Sequence, residues 1–245
     1  MIYRRAPTSV PRAQQRGIAL AIIIILVLVS ALLALWGFRS SVLNEAIVGN
    51  DADYLRAFEA AQALLQDAEQ DINGTHADGR PCTENASDEK ICRKKKTLAW
   101  FIDEEQLLTD LVNDLAIQPS KCRDGICLKR VGQQDFWNSA STLEAMTAAG
   151  VGARYGEYTG AAHDSGSNPI LADREENKGG WYWVEIMPYE KESPGGGLIT
   201  NDSQNKLVLN LKPSFVYRIT AIARGLKPST QVVLQSTYVR QRTAD

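Results

Sequence analysis

The sequence predicts an α+β fold. A long N-terminal helix, half membrane segment and half amphipathic, packs on a C-terminal antiparallel β-sheet, with disulfide-bearing loops between them. Three observations predict it. An uncharged apolar run near the start passes, without a proline, into a helix-periodic stretch that ends near Ile72. Segments rich in β-branched and aromatic residues fill the chain from Trp181 onward. Four cysteines, an even number, lie in the irregular part between.

The apolar run extends from Gly17 to Phe38, with no charge between Arg16 and Arg39. At about 1.5 Å per helical residue these 22 or so positions span roughly 33 Å, enough for a hydrocarbon core of about 30 Å. A cleaved secretory signal has an apolar region of only about 7–15 residues and a small-residue exit. This run is longer, and Leu35-Trp36-Gly37 is a poor exit. Arg4, Arg5, Arg12 and Arg16 precede it with no acid among residues 1–17, and Glu45, Asp51 and Asp53 soon follow. The positive-inside rule then predicts a cytoplasmic N-terminus, with everything after Arg39 outside.

The helix does not stop at the membrane. "VLNEAIVGNDADYLRAFEAAQALLQDAEQDI", Val42 to Ile72, has no proline. Leu55, Phe58, Gln62, Leu65 and Ala68 recur at helical spacing with one polar lapse, which predicts an apolar stripe that something must cover. Gly37 and Gly49 each weaken the helix by about 1 kcal/mol relative to alanine but need not end it. Asn73-Gly74 is the expected C-cap. One helix of about 55 residues, roughly 80 Å by rise, is the expectation.

The middle of the chain is irregular. "DGRPCTENASDEKICRKKK" reads as a polar loop, with Arg93-Lys94-Lys95-Lys96 as a solvated basic run diluted by Glu84, Asp88, Glu89 and Asp103. "FIDEEQLLTDLVNDLA" predicts a short amphipathic helix capped by Asp103 and Gln106; "STLEAMTAAG" predicts another, with Ser141 and Glu144 as the box and Gly150 past its end. Outside the membrane, Cys82, Cys92, Cys122 and Cys127 read as two disulfides. Of three pairings the sequential one is favoured, because "CRDGIC" holds the turn dipeptide Asp124-Gly125 between its cysteines. Zinc is the rival reading. The spacings lack a CxxC and only His76 and His163 could join them, so no metal or other cofactor is expected.

From Trp181 the pattern is strand-like: "WYWVEIMPY", "KLVLNL", "FVYRITAIA" and "TQVVLQSTYV", the last two joined by a hairpin through "RGLKPS". About four antiparallel strands are expected, with the amphipathic half of the long helix covering one face. Trp137, Trp181 and Trp183 are read as core and sheet-face residues rather than an adhesive patch.

The composition excludes several functions. With the four leader arginines set apart, the formal charge of −2 becomes −6, which argues against general nucleic-acid affinity. Asp103, Glu104 and Glu105 are consecutive and do not converge as a catalytic pair. No nucleophile–His–acid set is visible, so no catalytic residue is assigned and an enzyme is not expected.

A helix of this kind before a disulfide-bearing sheet resembles the type IV pilins. "RAQQRG" directly before the apolar run resembles a prepilin leader. The resemblance narrows to the PilX type of minor pilin, on "RGIALAIIIILVLVSALLAL", "AFEAAQALL", "CRDGIC" followed by "FW", "ARYGEYTG" and "YRITAIARG…TQVVLQSTY". It implies that a prepilin peptidase cuts between Gly17 and Ile18 and that Ile18 is then N-methylated. Ile22 stands at the fifth mature position, where most pilins carry a glutamate that neutralises the N-terminal amine of a neighbouring subunit. Its absence points to a subunit at the filament tip.

The resemblance therefore implies a leader over 1–17, a membrane or filament-core segment over 18–39, an amphipathic half over 40–73, and a periplasmic head over 74–245 with its sheet in 181–240. It implies a single-pass inner-membrane protein that enters a pilus, at its tip. Its partners would be other minor pilins and the major pilin through the helix, and a large tip adhesin; its roles would be pilus assembly, twitching motility and adhesion. Two other readings stand beside it. The K-type pseudopilin of type II secretion also lacks the glutamate, and a periplasmic enzyme or binding domain on a signal anchor would need no processing. The stretch from Gly74 to Lys96 resembles no known element.

Overall fold

The computed structural model describes residues 16–82, 89–94, 98–102, 107–162, 168–188 and 215–240. The chain divides into two units, Met1–Asp51 and Ala52–Asp245, and α1 (Arg16–Asn73) contributes to both.

In the first unit every large apolar side chain from Ile18 to Val48 is exposed. α1 is long and apolar enough to cross a membrane. Within the apolar run the Ser30 hydroxyl donates to the Val27 carbonyl at 2.9 Å, so the helix itself satisfies it.

In the second unit the last turns of α1 lie on a six-stranded sheet. The strands are β1 (Cys122–Arg123), β2 (Ile126–Leu128), β3 (Ala153–Arg154), β4 (Gly180–Pro188), β5 (Phe215–Arg224) and β6 (Gln231–Tyr238). Their order is β1-β2-β4-β5-β6, with β3 also on β4. β4, β5 and β6 are antiparallel, from Gly180↔Ala223 to Pro188↔Phe215 and from Tyr217↔Tyr238 to Arg224↔Gln231. That much agrees with the sequence. The whole sheet is mixed rather than antiparallel, because β2 runs parallel to β4 with Ile126 opposite Val184. β1 to β3 have only two or three residues each, too few to show a period of two. The expected strand "KLVLNL" lies outside the described residues.

The covered stripe of α1 differs from the expected one. Ala57, Ala60, Ala61, Leu64, Ala68 and Ile72 are buried. Of the five residues of the expected stripe only Ala68 is among them; Phe58 and Leu65 are half-buried, and Gln62 and Leu55 face outward. The reason is steric. Alanines let the helix axis approach the sheet closely, so close at Gly180 that a Cβ there would lie 2.6 Å from Leu64 Cδ1. A stripe chosen by large side chains passes this face by.

Two short helices follow. α2 (Leu108–Ala116) buries Leu111 and Leu115; the expected cap, Asp103 with Gln106, lies outside the described residues. α3 (Ala140–Thr147) does not begin with a Ser141–Glu144 box. Its N-cap is Ser139, with no capping side chain, because a 3₁₀ turn at Phe136–Asn138 brings the chain in two residues earlier. The Ser139 hydroxyl instead meets those of Ser141 and Thr142, at 3.3 and 3.1 Å. A single turn, α4 (Pro169–Ala172), is capped by Asn168, whose side chain accepts from the Ile170 amide. Trp181, Tyr182 and Trp183 of β4 are buried, and Phe136 stacks edge-on against Trp183 at 5.0 Å. Trp137 packs half-buried against the same cluster.

Candidate functional site

The head is fastened to α1 at three aspartates on the alanine face. Asp53, Asp67 and Asp71 are all buried. Residues 67 and 71 are one turn apart, and 53 lies nearly four turns earlier on almost the same side. A buried carboxylate must be paired or hydrogen-bonded. Each of these acids meets a different segment of the head.

Asp53 accepts the amides of Leu226 and Lys227, at 2.9 and 3.1 Å, in the turn between β5 and β6. Burial raises its carboxyl, but bonds from Thr230, Lys227 and Leu226 outweigh that and hold it below the usual value. Asp67 accepts the Gly156 amide at 2.7 Å and the Thr159 hydroxyl. Here burial dominates and pushes the carboxyl up to about 6. Asp71 accepts the Tyr182 hydroxyl at 2.7 Å and the Arg93 Nε and Nη2, at 2.8 and 2.6 Å.

Arg93 was expected in a solvated run, and the structure corrects this: its side chain is only 5% exposed. It also donates to the carbonyls of Ala99 and Asp124 and lies over the rings of Tyr158, at 3.8 Å, and Phe101, at 5.0 Å. Burial works against its charge, but Asp71 outweighs burial and raises its pKa above the ordinary value. The Cys82–Cys92 disulfide sits immediately before it, with a Cα separation of 5.7 Å, and steers this loop inward. Lys95 and Lys96 lie outside the described residues.

The second disulfide joins Cys122 to Cys127 across the β1–β2 hairpin, whose turn residues Asp124 and Gly125 have φ of +54° and +80°. Both values suit the tight turn, and a Cβ at Gly125 would also strike Ala153. His76, Cys82 and Cys92 bring their ligand atoms within 4.8 Å of one another. Both sulfurs belong to the disulfide, so neither is the thiolate that a metal would need. His163, Glu104 and Glu105 lie outside the described residues, as do residues 1–15.

The motifs singled out in the sequence thus converge on α1. "ARYGEYTG" supplies Gly156 and Thr159 to Asp67 and the Tyr158 ring to Arg93. "CRDGIC" supplies the Asp124 carbonyl to Arg93. The closing hairpin supplies the Asp53 donors, and Asn73 donates from Nδ2 to the Tyr238 hydroxyl at 2.7 Å. Sequence reasoning missed the aspartates and Arg93 as anchors. The available signal was acids recurring on the side of the helix that carries the alanines. In the first unit Ile18 and Ile22 are exposed, one turn apart.

Two family models match the chain: type IV pilus assembly protein PilX, C-terminal, over residues 123–240, and PilX N-terminal over residues 16–66. No curated protein and no solved structure matches it.

Proposed function

The chain belongs to the type IV pilus assembly protein PilX family, and from that premise we propose that it is a minor pilin of the pilus tip, active in assembly and initiation. The observation that carries the reading is α1. One uninterrupted helix exposes apolar side chains as far as Val48 and is built into the head from Asp53 onward. A soluble protein has no use for such a surface, whereas a subunit that leaves the membrane to join a helical filament core needs it.

In this reading a prepilin peptidase cuts between Gly17 and Ile18, and methylated Ile18 begins the mature chain. The helix waits in the inner membrane with its N-terminus cytoplasmic and the head periplasmic. It then packs with the helices of the major pilin and other minor pilins. Between helices in lipid no water is released, so dispersion, shape and lipid entropy drive that packing. Ile22 leaves no carboxylate for a neighbour's amine, which suits a terminal position. The head, with its loops, faces a large tip adhesin and supports twitching motility and attachment. The role is structural, and the PilX matches favour a pilus over a secretion pseudopilus.

The test is the intact mass and N-terminal sequence of protein extracted from membranes. A chain beginning at N-methylated Ile18 is expected. An uncut chain from cells with active prepilin peptidase would overturn the assignment in favour of a simple signal anchor.

A further inference from the structure

Two arginines lie over Trp181, and a third lines the cavity beside it. The Arg154 guanidinium lies 4.0 Å from the ring centroid of Trp181, and that of Arg224 lies at 5.5 Å. Arg174 lines the same cavity as Arg154 and Trp181, a space of about 580 Å³ that Lys90 also borders. Among the described residues none of these three arginines has a carboxylate within 4.0 Å.

Backbone carbonyls hold them instead. Arg154 donates to the carbonyls of Asp173, Lys178 and Glu175, at 3.2, 2.7 and 3.3 Å. Arg174 donates to that of Tyr155 at 2.6 Å, and Arg224 to that of Asn177 at 2.6 Å. Carbonyls orient a guanidinium but do not neutralise it. Burial first, and then the charge of Arg174, push Arg154 down to about 10. Lys90 is already paired with Glu157 at 2.9 Å, and Glu157 also accepts the Arg154 amide. Arg154 and Arg174 therefore face a concave, partly buried wall with no carboxylate in contact with either guanidinium, although Glu157 on that wall favours both charges from farther away.

We propose that this cavity is a binding site for a carboxylate, held by Arg174 and Arg154 over Trp181. The planar two-oxygen group matches the guanidinium fork. Glu144, Glu157 and Glu176 on the same wall oppose a second negative charge, which disfavours a phosphate dianion. The volume falls in the usual range for a small-molecule site, about 300–1,000 Å³. The carboxylate belongs either to a free organic acid or to an acidic side chain of a protein. Neither source depends on the minor-pilin reading.

The test uses the full chain in nonionic detergent at constant ionic strength. Binding of glucuronate, of an N-acetylated triglutamate amide and of inorganic phosphate is followed by calorimetry and tryptophan fluorescence. Arg174→Gln is the variant; Arg174 is exposed, so its unliganded melting midpoint should match wild type. Saturable binding of glucuronate, weakened at least tenfold in the variant, would identify a free acid as the ligand. Binding of the peptide alone, with the same loss, would identify a protein side chain. Phosphate binding as tight as either carboxylate would overturn the assignment. So would the absence of carboxylate binding, or binding that the variant leaves unchanged.

Discussion

Arg93 and Asp71 form a two-point ion pair inside the head, with Nε to Oδ1 at 2.8 Å and Nη2 to Oδ2 at 2.6 Å. The pair connects a loop 22 residues downstream to the face of α1. Its worth lies less in the attraction than in what either partner would suffer alone. Two buried ions attract strongly, but removing them from water costs a comparable amount.

Arg93→Met should therefore destabilise the head by roughly 3–5 kcal/mol, because Asp71 is left buried without its counter-charge. The double variant Arg93→Met with Asp71→Asn should be clearly more stable than Arg93→Met alone. Chemical unfolding of the detergent-solubilised chain measures both. Equal losses in the two variants would show that packing of the Arg93 stem, not charge, dominates.

Asp67 makes stability depend on pH. Its folded-state pKa, about 6, is raised above the unfolded value near 3.8, so the folded protein holds the proton more tightly. The contribution is fully present below the unfolded value and is lost as pH rises through about 6. The head should gain stability, on the order of 3 kcal/mol, as pH falls from about 7 to about 4. Asp67→Asn should remove most of that slope, because the amide needs no proton to be neutral. Melting curves across that range provide the comparison with wild type.

Breaking the Cys82–Cys92 bond should cost about 2–4 kcal/mol, the usual range for a native disulfide. Cys82→Ser with Cys92→Ser should also raise hydrogen exchange at the Ala99 amide, which donates to Asp124 Oδ2 at 3.1 Å beside the Arg93 contact. Intact exchange protection there would show that Arg93 holds its place without the disulfide.

Ile22→Glu bears on the position in the filament. If no amine of a neighbour faces residue 22, a new carboxylate must stay protonated or face lipid, at a cost of at most roughly 2.5–3.5 kcal/mol, the value for a charge at a helix centre. Surface piliation should fall. Immunogold counts along sheared pili should find wild-type protein at the ends. Variant protein along the whole shaft, at normal piliation, would contradict the tip placement.

The long helix, its end at Asn73, the β5–β6 hairpin and the turn at Asp124-Gly125 could all be read from the sequence. Each is dictated by local chemistry: an uninterrupted apolar and periodic run, a C-cap, alternating β-branched residues, and a dipeptide suited to positive φ. Even the face of α1 that carries Ala57, Ala61 and Ala68 was written there, though hydrophobic periodicity pointed to Leu55 and Phe58 instead. Tertiary structure decided what could not be local. Whether Arg93 is a solvated loop cation or a buried anchor depends on Asp71, Tyr158 and Asp124, which meet it only when three distant segments fold together. The parallel pairing of β2 with β4 depends likewise on Ile126 lying opposite Val184, residues 58 apart in sequence with no pattern between them. A polar side chain is buried only where its partners are assembled, and no stretch of sequence contains its own partners.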